Sequence, residues 1–87
     1  MILKQELAIA NSKAGVIMDL TKGTVGQEYI VRSVETGDEE LDAFLFSLGC
    51  YSGEPITIVS RRRGGMTVSI KDGRYNIDDQ LAEAIQI

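Results

Sequence analysis

The residues of this sequence that could do chemistry are a thiol, two groups of carboxylates and a run of guanidinium groups. The thiol is Cys50, the one cysteine among 87 residues, and there is no histidine. Nucleophilic Ser–His and Cys–His pairs and histidine-based metal sites are therefore excluded. A single cysteine also excludes an internal disulfide, and without a histidine partner Cys50 reads as a packed small hydrophobe, a reactive thiol being the alternative. Asp38, Glu39, Glu40 and Asp42 crowd together, but consecutive carboxylates at the start of a helix point apart rather than converging on one ion. They read as a solvated face favoured by the helix dipole. Asp78-Asp79 reads as a second helix cap. The pattern calls for no catalytic residue, no metal ligand and no cofactor. What remains is recognition by surface, with Arg61, Arg62 and Arg63 as its most concentrated charge.

Those groups must be positioned by short elements. The stretch 37–55, GDEELDAFLFSLGCYSGEP, carries a helix that stops at Gly49 and turns through Gly53 into a strand. Thr36 and Glu39 are spaced as a capping box, and Leu41, Phe44, Leu45 and Leu48 fall on one helical face. Gly49 suits the left-handed residue that ends many helices. A lone helix of this length is marginal in water, so it must dock on other elements. Beyond Gly53 the period becomes two: Ile56 and Ile58 in one strand, Met66, Val68 and Ile70 in the next, Tyr75 and Ile77 in a third. Asp72-Gly73 supplies a hairpin turn with positive φ at its centre, and residues 61–65, RRRGG, form a hairpin loop with a basic tip. These three strands make an antiparallel meander.

Two flanking segments complete the plan. In 26–35, GQEYIVRSVE, the alternations Tyr29/Val31/Ser33 and Ile30/Arg32/Val34 compete, which predicts a bulged or two-sided strand. Val16, Ile17, Met18 and Leu20 form an earlier apolar run, read as a first strand. Downstream, Asp78 caps one short turn through Leu81 and Ala82, and Ile85 and Ile87 alternate as a closing strand. Several short strands with one intervening helix make a mainly β fold with one or two short helices, a small barrel whose closure removes its edges.

Composition agrees with one domain. Hydrophobic residues make up 44% and charged residues 25% of the chain, ordinary globular usage, with a net charge of −4. No apolar run approaches the roughly 20 residues of a membrane span. Glu6 interrupts the N-terminal apolar segment, so it does not read as a signal peptide. The chain is expected to be cytoplasmic. Residues 1–14 form an extension that either packs loosely on the barrel or covers a partner surface; residues 15–87 form the barrel domain.

The sequence resembles FeoA-type domains from Val16 to Ile87. The resemblance lies in Met18-Asp19-Leu20, Lys22-Gly23 and Tyr29-Ile30-Val31, then Gly37-Asp38-Glu39-Glu40-Leu41, Leu45, and Leu48-Gly49 followed by Gly53. It closes with Gly73-Arg74-Tyr75-Asn76-Ile77 and Ala82-Glu83-Ala84-Ile85. Members of the family usually carry a basic residue near the middle of the helix and a proline before the second glycine; here those places hold Ala43 or Phe44, and Ser52. The resemblance implies an SH3-like barrel serving bacterial ferrous iron uptake, a cytoplasmic accessory of the membrane GTPase FeoB, without enzymatic activity. Related domains also occur in metal-dependent repressors, but this chain has no helix-turn-helix region and looks like the free-standing form.

A docking role directs the search to surface residues. Phe46 lies roughly opposite the apolar helix face, so it either packs under the N-terminal extension or stands exposed as an aromatic anchor. With Leu48, Gly49, Cys50, Tyr51 and Gly53 it makes the candidate partner site. A secondary basic patch comprises Arg61, Arg62, Arg63 and Arg74. It reads as a solubilising hairpin, as a contact for an acidic partner or lipid headgroups, or, with Tyr75, as a track for a phosphate backbone. Nucleic-acid binding is the alternative of a different class, and the acidic balance opposes it. The chain is expected to be a monomer or weak oligomer.

Overall fold

The computed structural model describes residues 18–87. The expected 1–14 extension and the start of the expected first strand, Val16 and Ile17, lie outside them. The fold is mainly β with two short helices. In chain order it comprises β1 (Glu28–Ile30), β2 (Ser33–Val34), α1 (Glu39–Leu48), β3 (Pro55–Arg62), β4 (Gly65–Ile70), β5 (Gly73–Asp78), α2 (Asp79–Glu83) and β6 (Ile85–Gln86). β1, β3, β4 and β5 form one antiparallel sheet in that spatial order, and β2 pairs with β6 in a second ladder. Both contribute to a single core of Leu20, Val31, Leu45, Cys50, Ile56, Ile58, Met66, Val68, Ile70, Ile77, Ala82 and Ile85.

The β3–β4–β5 meander has the expected alternation. Ile56 and Ile58 of β3, Met66, Val68 and Ile70 of β4, and Ile77 of β5 point inward, as the two-residue period of a strand requires. The register slips between Ile58 and Ser60, the mark of a bulge at Val59. The closing strand is also as expected. β6 pairs with β2 through Ser33–Gln86 and Val34–Ile85, Asp19 bridges Gln86, and the Ile87 amide donates to the Met18 carbonyl at 2.8 Å. The C-terminus thus lies between two early segments.

Four local expectations are corrected. The single strand across 26–35 is two strands in two sheets. The Val31 amide donates to Glu54 O at 2.9 Å, while the Arg32 amide donates to Gln86 O at 2.7 Å, so the chain changes sheets between them. The competing alternations record that corner: the inward face switches there, leaving Val31 buried and Ile30 exposed. In the described part of the expected first strand, only Asp19 bridges, and Leu20–Lys22 wind into a 3₁₀ turn capped by the Asp19 carboxylate. The β4–β5 turn falls on Lys71-Asp72, with the positive φ (52°) on Lys71, because Gly73 already pairs with Ile70. The β3–β4 loop is only Arg63-Gly64, since Arg61 and Arg62 remain in the strand.

Helix α1 is capped differently from the expected box. Asp38 is the N-cap, its Oδ1 accepting from the amides of Glu40 (2.9 Å) and Leu41 (3.4 Å). Thr36 instead donates through its hydroxyl to Asp42 Oδ1 at 2.7 Å and through its amide at 3.0 Å. These bonds, the hydroxyl's first, hold the Asp42 carboxyl below the usual carboxylate range. The helix ends as expected at Gly49, whose φ of 98° is left-handed. The Gly49 amide donates to Phe46 O at 3.0 Å and the Cys50 amide to Leu45 O at 2.9 Å, the paired bonds of a Schellman motif. Leu45 and Cys50 are both buried beneath it.

Gly49 is constrained from outside as well. A Cβ there would come within 2.8 Å of Lys71 Cε and 3.2 Å of Ile70 Cγ2. Gly49→Ala is therefore expected to destabilise the protein by about 1–2 kcal/mol from the left-handed backbone alone, with more from displacing Lys71. Thermal unfolding checks this; at roughly 4–8 °C per kcal/mol for a domain of this size, a melting point within about 2 °C of the unsubstituted chain would refute it.

Candidate docking surface

Helix α1 touches the core along a narrower stripe than its sequence suggests. Leu45 is its one buried residue and Leu48 is half-buried. Leu41 and Phe44, expected to face inward, are 39% and 50% exposed. α1 joins the core through Leu45, with Leu48 at its edge, and presents the residues on either side of Leu45 to solvent. Phe44 sits 100° behind Leu45 and Phe46 100° ahead of it.

Phe46 is 62% exposed, the most exposed large apolar side chain among the described residues. The structure gives it a partner that spacing alone does not. Its ring stacks on Tyr51, with centroids 4.6 Å apart and an interplanar angle of 29°, the separation of a favourable aromatic pair. The turn at Gly49 makes this possible by folding the chain back so that residue 51 lies beside residue 46. The following turn is fixed in the same way. The Gly53 amide donates to Val31 O at 2.8 Å, and Glu54 O accepts from the Val31 amide, with Gly53 at a φ of 93°.

Lys71 braces the platform from the β4–β5 turn. Its aliphatic stem runs over Gly49, its ammonium forms an ion pair with Glu54 and lies 5.7 Å from the centroid of the Tyr51 ring, within cation–π range. The hydrogen bond to Glu54 is the main cause that raises the Lys71 pKa, so the side chain stays charged. In sequence Lys71 is only one more base of the 55–77 segment, and Glu54 carries no signal. Their contact spans 17 positions and no local pattern encodes it.

Of the six candidate partner residues, the structure brings Phe46 and Tyr51 together at the surface and leaves Gly53 exposed beside them. Leu48 is half-buried, while Gly49 and Cys50 are buried; these three underlie the surface and set its shape. Cys50 is 1% exposed, and burial pushes its thiol up from an ordinary 9.0 to about 11. Among the described residues no group of three or more His, Cys, Asp or Glu side chains is placed to hold a metal ion, and no helix is long and apolar enough to cross a membrane.

The four arginines are distributed rather than gathered. Adjacent strand residues point to opposite faces, so Arg61 and Arg62 diverge. Arg61 donates to the carbonyls of Thr21 (2.8 Å) and Gly23, tying the 3₁₀ turn to β3. Arg62 donates to Thr67 Oγ1 at 3.0 Å, and that hydroxyl donates to Asn76 Oδ1 at 2.7 Å. Arg63 lies exposed in the turn and Arg74 exposed on β5. Arg61 serves the fold, which weakens the case for a continuous phosphate track.

The model of the FeoA domain matches residues 18–87, all of the described chain. The protein belongs to the FeoA family. Among solved structures, the chain is similar to a crystal structure of an iron uptake regulatory protein (FeoA), with a TM-score of 0.72 and 22% identity over 82% of this chain and 95% of that one. It is also similar to a manganese-dependent transcriptional repressor, with a TM-score of 0.73 and 19% identity. That match covers 82% of this chain but 40% of the repressor. At these identities the two structures establish the shared fold. No curated protein matches the sequence significantly.

The buried thiol gives the FeoA domain a pH signature. Above about pH 9 the unfolded chain loses the Cys50 proton while the folded chain keeps it until about 11. Stability must fall as pH rises through that window, because the unfolded state then binds fewer protons. Urea unfolding across the window should show this fall relative to Cys50→Ala, which lacks the group. A difference between the two proteins that does not change with pH would mean that the thiol titrates normally.

Proposed function

We propose that this protein is a non-enzymatic accessory of bacterial ferrous iron uptake that docks onto a cytoplasmic surface of a FeoB-like membrane GTPase through the Phe46–Tyr51 platform. Membership of the FeoA family supports the role in iron uptake, and the exposed, stacked Phe46 is the observation that supports the surface. Large aromatic side chains held rigid before binding lose little entropy on association and commonly dominate interface energy. Lys71 and the two glycine turns supply that rigidity here. The work assigned to the protein is contact, and the partner supplies the nucleotide chemistry.

The match to the manganese-dependent repressor favours a second reading, a regulatory domain like those within metal-dependent repressors. It predicts that the platform engages a DNA-binding protein in place of a membrane GTPase.

The deciding experiment titrates the isotope-labelled protein with the soluble cytoplasmic portion of the FeoB-like partner from the same genome. Amide shifts centred on residues 46–53 are expected. Phe46→Ala should weaken binding tenfold or more, about 1.4 kcal/mol, while lowering folding stability by no more than about 1 kcal/mol, the order of the lost stacking on Tyr51. Normal stability with undiminished binding would eliminate the platform as the docking site. Shifts confined to Arg61–Arg74 would keep the partner and move the site to the basic hairpin.

A further inference from the structure

A second feature of the helix lies on its other flank. A cavity of about 140 Å³ opens between α1 and α2, lined by Thr36, Leu41, Asp78, Gln80 and Leu81. Leu41 is five positions from Phe46, about 140° around the helix, so the cavity and the aromatic platform occupy separate sides. Leu41 is 39% exposed and Leu81 half-buried. Phe44, one turn on from Leu41, is 50% exposed on the same flank. The two leucines give the cavity aliphatic walls, and its volume accommodates one side chain of valine or leucine size.

The two chain segments that contribute the cavity's lining, 33–60 and 78–87, carry nine acids and no lysine or arginine, and the basic stretch that reaches it is the Arg63-Gly64 turn, where the Asp79 amide donates to Gly64 O at 3.0 Å. Four of those carboxylates are already engaged: Asp38 by the Glu40 and Leu41 amides, Asp42 by Thr36, Glu54 by Lys71 and Asp78 by the Leu81 amide. Glu39, Glu40, Asp79 and Glu83 are exposed on the two helices that form the walls. Such a surface repels a phosphate backbone or an anionic lipid face and attracts a cationic one.

We propose that this cavity receives one aliphatic side chain from a lysine- or arginine-flanked segment of the partner protein, making a second prong of the interaction beside the Phe46–Tyr51 platform. This rests on the docking function proposed above, and it adds the chemistry of the partner's contact segment. The aliphatic side chain fills the Leu41–Leu81 space, and the flanking cations meet the carboxylates of both helices. Association is therefore steered by charge, and its strength depends on salt.

The test measures affinity of the full chain for the soluble cytoplasmic portion of the FeoB-like partner by calorimetry at about 50 and about 300 mM NaCl, a range over which exposed charges become screened. Three proteins are compared: the unsubstituted chain, Leu41→Gln, and the double variant Glu40→Lys with Asp79→Lys. All the substituted positions are exposed, and thermal melting verifies that each variant is folded. Leu41→Gln is expected to bind about tenfold more weakly at both salt concentrations. The double charge reversal should bind several-fold more weakly at low salt and lose most of its salt dependence. Binding that ignores both variants while still responding to Phe46→Ala overturns this inference and leaves the platform intact. No binding by the unsubstituted chain overturns the docking function and this inference together. Nuclear Overhauser contacts between the Leu41 or Leu81 methyl groups and residues 1–17 in the free protein would make the chain its own occupant, and concentration-dependent shifts at those methyls would make a second copy the occupant. Either result also overturns it.

Discussion

The left-handed turn at Gly49 is the constraint on which both the fold and its surface depend. One residue with a φ of 98° ends α1, sends Cys50 into the core beneath Leu45, and returns Tyr51 to the side of Phe46. A side chain at this position would face two penalties, the strain of the backbone and a collision with the Lys71 stem. The lack of a Cβ lets a lysine from a distant hairpin cross the turn closely enough to reach Glu54 and the Tyr51 ring. A helix end, a core residue and an exposed aromatic pair therefore share one local cause. Their coupling gives the exposed Phe46 a stacking neighbour that the same turn places.

That economy follows from the size of the domain. Small domains bury a modest fraction of their surface, so nearly every inward position must be apolar and well packed. The sheet supplies most of the core, and α1 adds Leu45 to it. The remaining apolar residues of the helix are surplus to folding, which leaves Leu41, Phe44 and Phe46 available at the surface. An exposed apolar residue taken singly is ordinary. Three on one short helix, one of them stacked on Tyr51, are the basis for the docking role proposed above.

How much of this was legible in the sequence depended on the range of the interaction. The β3–β4–β5 alternation, the glycine that stops α1, the Asp78 cap and the closing strand are encoded within a few residues each, and they were read correctly. The family resemblance was carried by the same local signals. Errors arose where position along the chain competes with tertiary geometry. Residues 26–35 look like one ambiguous strand because Val31 and Arg32 bond to different sheets. Helical periodicity placed Phe44 on the buried face because it cannot tell how wide a stripe the neighbouring sheet leaves room to cover. The arginine run looked like one patch, but the pleat divides Arg61 from Arg62 and spends the first on two carbonyls of the 3₁₀ turn.

The candidate site shows the same division. Phe46 was conspicuous because it breaks the helical pattern, and a residue that folding does not explain is a reasonable place to look for function. Tyr51 was named for its nearness in sequence, yet its stacking geometry belongs to the turn. Lys71 and Glu54 gave no signal, since an ion pair between a hairpin turn and a helix-following loop has no periodic or compositional trace. The cavity between α1 and α2 was invisible for a related reason: its lining comes from Thr36 and Leu41 on one side and Asp78, Gln80 and Leu81 on the other, about 40 positions apart in the chain. What sequence does preserve is the charge of its surroundings. Two base-free segments, distant in the chain, become neighbours in the fold, so an unremarkable overall charge of −4 conceals an acidic helical side and a basic hairpin. Net charge describes the molecule as a whole, whereas a partner meets only one face of it. Helix α1 carries carboxylates beside exposed apolar residues, a composition to which a segment both cationic and apolar is complementary.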